Sequence, residues 1–272
     1  MVSLFDCFLI PFRIWIVQNY FYFDKMKIFL FTFFLSLSLF THSQGNDLFY
    51  VFNADWKPTD MKNAKFFLHV QRKNDSTWQW DYYNMFGPLI KTERYKDKQA
   101  TILNGAVAYY SANGYLDSTG MYKNGLKEGD FWKLEEDSLR WKIKYVYHNN
   151  ELKEVDIEDN KQKKNDDEEA KFEVETESEY PGGIKAWQKF LIKNIRYPDR
   201  AINNKIEGAV RIAFIVDTEG KIEDSYVAKS VEFSLDEEAL RIIRNSGKWE
   251  PAIEDNRKVK SYKIQPIYFR LE

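Results

Sequence analysis

The sequence predicts a mixed fold: an α+β C-terminal module built from helices, a hairpin and a final strand, behind a mainly β N-terminal module of stacked hairpins. Three observations lead there. Aromatic residues make up 17% of the 272 residues, mostly Phe and Tyr, and such residues suit the half-buried, pleated surface of strands. Asn-Gly pairs and single glycines punctuate 104–150 at hairpin spacing. From Tyr180 onward, apolar residues recur first at helical and then at alternate spacing.

The N-terminus reads separately. Residues 1–25 are hydrophobic but broken by Asp6, Pro11, Arg13 and Asp24-Lys25. They are expected to be an over-extended start with Met26 as initiator; the alternative is an uncleaved anchor built from both apolar runs. After Met26 come Lys27, the apolar run Ile28–Phe40, and the small residues Thr41 and Ser43. A positive start, a short apolar core and small residues two apart describe a signal peptide over 26–43, cleaved after Ser43. The run is shorter than the roughly 20 apolar residues a membrane span needs. No cysteine follows it, which excludes a lipoprotein anchor there, and the single Cys7 excludes internal disulfides and a cysteine metal cage. A net charge of -2 gives no field that would select nucleic acid.

Residues 45–150 form the β-rich module. Phe66–Val70 and Thr77–Tyr83 read as strands. Farther on, Asn104-Gly105, Tyr109-Tyr110, Asn113-Gly114, Tyr122, Asn124-Gly125, Gly129 and Phe131-Trp132 form a loose repeat, ending at Tyr145, Tyr147 and Asn149-Asn150. Asn-Gly supplies the positive φ of tight hairpins, and aromatics pair across neighbouring strands. Over about 104–150 the pattern resembles a MORN-type repeat, a family that stacks one hairpin per repeat, although Asn149-Asn150 replaces the usual Asn-Gly. Residues 151–179 hold acids at thirteen of twenty-nine positions. Such a segment cannot bury enough apolar surface to offset its ordering entropy, so a charged linker is expected there, partly helical at most.

The C-terminal module, 180–272, is the most informative stretch. Tyr180-Pro-Gly-Gly183 opens a helix whose apolar face is Ile184, Trp187, Phe190, Leu191 and Ile195. Tyr197-Pro198 stops it and starts a short second helix through Asn203. Val210, Ile212, Phe214 and Val216 alternate with Arg211 and Ala213, and Asp217-Thr-Glu-Gly220 makes the turn into a return strand, Ile222 to Lys229. Ser234 with Glu237 three residues on reads as a capping box before Leu235, Ala239, Leu240, Ile242 and Ile243. The adjacent acids Asp236-Glu237 read as complements to the helix dipole, and Gly247 ends that helix. The last strand is expected from about Val259 to Leu271.

Pro266 inside that strand is informative. Proline cannot donate to a ladder, so it belongs at an edge, a strand start or a bulge. With the 209–229 hairpin on one side, the other side should be open, guarded by Lys258, Lys260, Lys263 and Arg270. An open edge is also a template on which an extended peptide can add a strand.

Here the residues carry a resemblance. Tyr180-Pro-Gly-Gly183, Phe190-Leu191, Tyr197-Pro198, Gly208–Gly220, Leu235–Leu240, Trp249-Glu-Pro251 and Pro266–Phe269 resemble, in order, the TonB C-terminal domain, in particular copies in Bacteroidota multidomain chains. The resemblance implies helices packed on a three-stranded antiparallel sheet. It implies binding of the N-terminal box of TonB-dependent outer-membrane receptors, or another extended peptide, by strand addition at the final strand. It places the protein in the periplasm, soluble or anchored in the inner membrane, with inner-membrane motor proteins as partners if anchored. The side chains expected to meet the peptide are Lys263, Gln265, Tyr268 and Arg270. A Pro-rich spanning linker, as energy transducers carry, is missing: no proline lies between Pro88 and Pro181. That leaves a soluble exported adaptor or envelope-structure protein as the alternative to a transport partner.

Chemistry is not indicated. His42, His69 and His148 are far apart, and no H-E-x-x-H, G-x-S-x-G or phosphate-binding Gly loop occurs. No catalytic residue, metal or cofactor is expected, and binding is the function class that remains.

Overall fold

The computed structural model describes residues 47–136, 140–157 and 176–271. The signal peptide, the early start and most of the charged linker lie outside these described residues.

The N-terminal module is one antiparallel sheet of ten strands; nine follow each other in chain order, and the short seventh strand pairs with the sixth beside that path. The strands are β1 (Leu48–Phe52), β2 (Phe66–Asn74), β3 (Thr77–Asn84), β4 (Leu89–Tyr95) and β5 (Gly105–Tyr110). They continue as β6 (Leu116–Lys123), the short β7 (Leu126–Lys127), β8 (Gly129–Leu134), β9 (Trp141–His148) and β10 (Glu151–Ile157). Aromatic and aliphatic side chains alternate to one face, where Trp80, Tyr82, Tyr95, Leu68 and Val107 are buried together. Asn124 and Gly125 both have positive φ at the β6–β7 turn, the geometry Asn-Gly was expected to supply. One expectation needs correction: residues 151–157 are not linker but strand β10, paired with β9 from Glu151↔His148 to Ile157↔Ile143. Their acids and Lys153 mask the pattern, because an outermost strand has a solvated side and needs little apolar content.

The C-terminal module has helices α1 (Gly183–Asn194), α2 (Asp199–Asn203) and α3 (Phe233–Arg244). They pack on a three-stranded sheet ordered β12 (Ile222–Lys229), β11 (Gly208–Val216), β15 (Ser261–Phe269). Val210, Ile212, Phe214 and Val216 of β11 meet Leu235, Ala239, Ile242 and Ile243 of α3, with Trp187 and Trp249 completing the core. A small hairpin, β13 (Ala252–Glu254) with β14 (Arg257–Val259), precedes β15, so the last strand starts later than expected. Its positive-φ residues Asp255 and Asn256 make that turn. Thr176 and Glu179, expected as linker, bridge to Ile253 and Glu250.

The capping box is the second correction. The helix begins two residues earlier, and its N-cap is Glu232, whose carboxylate accepts the Ser234 N–H at 2.8 Å and the Ser234 O–H at 2.6 Å. Glu232 is fully buried and also takes the Arg200 Nε–H at 2.5 Å. A long acidic side chain with a partly buried cationic partner outcompetes serine for the cap, which the local S-x-x-E pattern cannot reveal.

The two modules share a packed interface. Phe233, the first residue of α3, sits among the rings of Phe49, Phe67, His69 and Tyr83, at centroid distances of 5.6, 5.3, 5.0 and 5.4 Å. Arg200 donates to the Met85 carbonyl and stacks over Phe67 and Phe86. Asp236 lies in the first turn of α3, as expected, and is fully buried there, accepting from the Ser230 hydroxyl and the Val231 N–H, while Ser230 Oγ accepts the Leu89 N–H at 2.7 Å.

Burial pushes the Asp236 carboxyl up to about 7; the bonds from Ser230, Val231 and Tyr83 oppose the shift, and neighbouring Glu232 adds to it. Glu237 is raised in the same direction, again chiefly by burial. A carboxyl whose folded pKa exceeds its unfolded value stabilises below the unfolded pKa, and that contribution is lost as pH rises through the folded one. The interface should therefore weaken from pH near 4 up to about 7. Thermal midpoints measured across this range should fall with pH in the natural protein and flatten in Asp236→Asn; equal slopes would remove Asp236 as the cause.

Candidate functional site: the open edge of the C-terminal sheet

Strand β15 pairs with β11 in unbroken antiparallel register, from Gly208↔Phe269 to Val216↔Ser261. Among the described residues no strand pairs with its other side. The opposite edge of the same sheet is not free. Tyr115 bridges Lys229, the Ser230 N–H donates to the Gly114 carbonyl at 2.8 Å, and the Tyr110 hydroxyl donates to the Val227 carbonyl at 2.8 Å. Gly114 has φ of 82°, and a Cβ there would come within 2.2 Å of the Ser230 carbonyl oxygen. Only glycine allows that approach. Lys229 and Arg211 then lie over the Tyr115 ring, at 4.6 and 5.8 Å from its centroid. The N-terminal module thus covers the end of β12 and leaves β15 exposed.

Pro266 stands opposite Arg211 in the ladder. Its carbonyl accepts the Gln265 side-chain N–H at 3.3 Å. In an antiparallel strand the N–H and C=O of one residue point the same way, and successive residues alternate. Proline is tolerated where its nitrogen faces the open side. With Pro266 turned outward, Ile264 and Tyr268 turn their backbone groups outward too.

The side chains also alternate. Ile267 and Phe269 point into the helix-covered core, whereas Tyr262 and Tyr268 are 69% and 62% exposed on the uncovered face, with Ile264 between them. The four sequence-selected side chains divide between the two sides. Lys263 and Gln265 share the side of Ile267, half-buried, and Lys263 Nζ lies 3.5 Å from Glu177. Tyr268 lies on the uncovered face, and the Arg270 guanidinium approaches its ring at 6.0 Å from the centroid. Sequence reasoning missed Tyr262 and Ile264, which period-two alternation from Tyr268 would have found. Tyr226 of β12 extends the same face; burial and the nearby Tyr262 push its hydroxyl up to about 12. At the strand start, Lys260 pairs with Glu223 at 2.9 Å.

Among the described residues no three His, Cys, Asp or Glu side chains are grouped as metal ligands. His69 is a packed residue, stacked on Phe49 at 4.6 Å. Among the described residues, no helix is long and apolar enough to cross a membrane.

Comparison with known proteins bears on this module alone. Residues 193–271 match the family model of the Gram-negative bacterial TonB protein C-terminal. That family is a periplasmic, non-enzymatic domain of Gram-negative envelope proteins associated with transport, and it generally interacts with outer-membrane receptors. Among solved structures, the NMR solution structure of the Helicobacter pylori TonB C-terminal domain aligns at 25% identity over 34% of this chain and 89% of that one, with a TM-score of 0.28. No curated protein matches the chain.

Proposed function

We propose that this is a TonB-like periplasmic protein that docks on the extended N-terminal box of an outer-membrane receptor by adding that peptide as a strand along β15. The observation that carries the reading is the open β15 edge in a module matched over 193–271, with the sheet's other edge engaged by the N-terminal module. Main-chain hydrogen bonds supply the affinity of strand addition, and pockets for alternate side chains supply the selectivity. On β15 the main-chain groups of Ile264 and Tyr268 offer the bonds. Tyr262, Ile264 and Tyr268 flank alternate peptide side chains on the uncovered face, and Lys263, Gln265 and Arg270 line the rest of the strand. Binding rather than catalysis is the role of the site.

The modules divide as 45–157 and 176–271, joined through 158–175. Within the first, the hairpins of 104–150 are the units to which a MORN-type reading applies. Export by the 26–43 signal peptide puts both modules in the compartment where such receptors present their boxes. Isothermal titration of the intact mature chain with synthetic receptor-box peptides tests the reading. Saturable binding that a scrambled peptide does not reproduce is expected, and no heat at millimolar peptide would overturn it.

A further inference from the structure

The N-terminal sheet carries a cavity that the β15 reading does not use. It opens on one face of strands β5 to β9, has a volume of 290 Å³, and is lined by Tyr109, Tyr122, Phe131, Tyr145, Tyr147 and Lys127. These rings are half-buried, unlike Trp80, Tyr95 and Val107 beside them, which are sealed in the core.

Their arrangement is held in place from below. Gly120 lies directly under Phe131: a Cβ there would come within 2.2 Å of the ring, so glycine is what lets the ring lie against the sheet. Phe131 meets Tyr122 edge-on at 5.6 Å and Tyr147 edge-on at 5.2 Å. Lys127 Nζ lies over both Tyr147 and Phe131, at 4.5 and 5.2 Å from the centroids. Edge-to-face contacts and a cation over the rings are favourable arrangements that fix ring orientation before any ligand arrives.

The chemistry of the lining narrows the occupant. Hydroxyls of four tyrosines and Ser118 stand among the rings, so an aliphatic chain would strip water from polar groups without replacing it. A phosphate-rich ligand finds no cluster of cations: Lys127 lies over the rings, and Lys133 is paired with Asp117. The lining instead matches a ring that has an apolar C–H face and a polar rim. We propose that this cavity binds a pyranose unit of a neutral carbohydrate, stacked on Tyr145 or Tyr147 and hydrogen-bonded through the surrounding hydroxyls. This reading is independent of peptide docking at β15.

The test uses the intact mature chain and soluble oligomers of glucose and of N-acetylglucosamine as probes, read by saturation-transfer NMR and by titration. Saturable transfer from protein to sugar C–H protons is expected with at least one of the two series. The Tyr145→Ser/Tyr147→Ser double variant should weaken it by about ten-fold or more, on the scale expected for losing aromatic contacts. Its unchanged receptor-box peptide binding and thermal midpoint would show that it is folded; if it is not, the single variant Tyr147→Phe, which keeps the ring and removes one hydroxyl, should still lower sugar affinity. No transfer from either series, transfer undiminished in the variants, or binding confined to sulfated polysaccharide would overturn the proposal.

Discussion

Phe233→Ala should uncouple the two modules and lower stability by about 3 kcal/mol, at the low end for removing a large buried aromatic because Phe233 is half-buried. The ring packs among the aromatic group formed by Phe49, Phe67, His69 and Tyr83. Removing it leaves a hole between the sheet and the helix start that neither rigid module can fill. The core of the C-terminal module, from Trp187 to Ile267, does not depend on that ring. Calorimetry should therefore show a single transition broadening or splitting, the N-terminal module melting first. An unchanged thermogram would mean that the contacts at Gly114, Ser230 and Arg200 hold the interface unaided.

Tyr268→Pro should weaken receptor-box peptide binding by about ten-fold or more. A proline there deletes the outward N–H that stands beside the gap already left by Pro266, so no outward donor would remain on the strand beyond Ile264. The inward face is unaffected in kind, since Ile267 and Phe269 keep their places in the core. Tyr268→Ala separates the two contributions: it removes the ring and keeps the donor, and should cost several-fold less. Equal losses in the two variants would assign the affinity to the side chain.

Much of this architecture was legible in the residues, and the reasons differ by element. The period-two run Val210 to Val216 and the 3.6-period face of α3 declare themselves because one side of each is buried. Pro266 marked β15 as an edge because a missing donor has few places in a sheet. By contrast, β10 was hidden: as an outermost strand rich in Glu, Asp and Lys it has the composition of a linker. The Glu232 cap and buried Asp236 were hidden for a different reason. Their partners Arg200 and Tyr83 come from distant parts of the chain, and a local motif such as Ser234-x-x-Glu237 cannot register a competitor supplied by tertiary contact. Within the site, alternation places Tyr268 and Tyr262 on one face and Lys263 and Gln265 on the other, a division the list of flanking residues did not contain.

Amide hydrogen exchange, read residue by residue in the intact mature chain with and without a receptor-box peptide, tests strand addition at β15 most directly. Slowed exchange at Ile264 and Tyr268, with β12 amides unchanged because the N-terminal module already covers the end of that edge, is the predicted result. Unchanged exchange at those two amides under saturating peptide, or new protection along Ile222 to Lys229 instead, would contradict it.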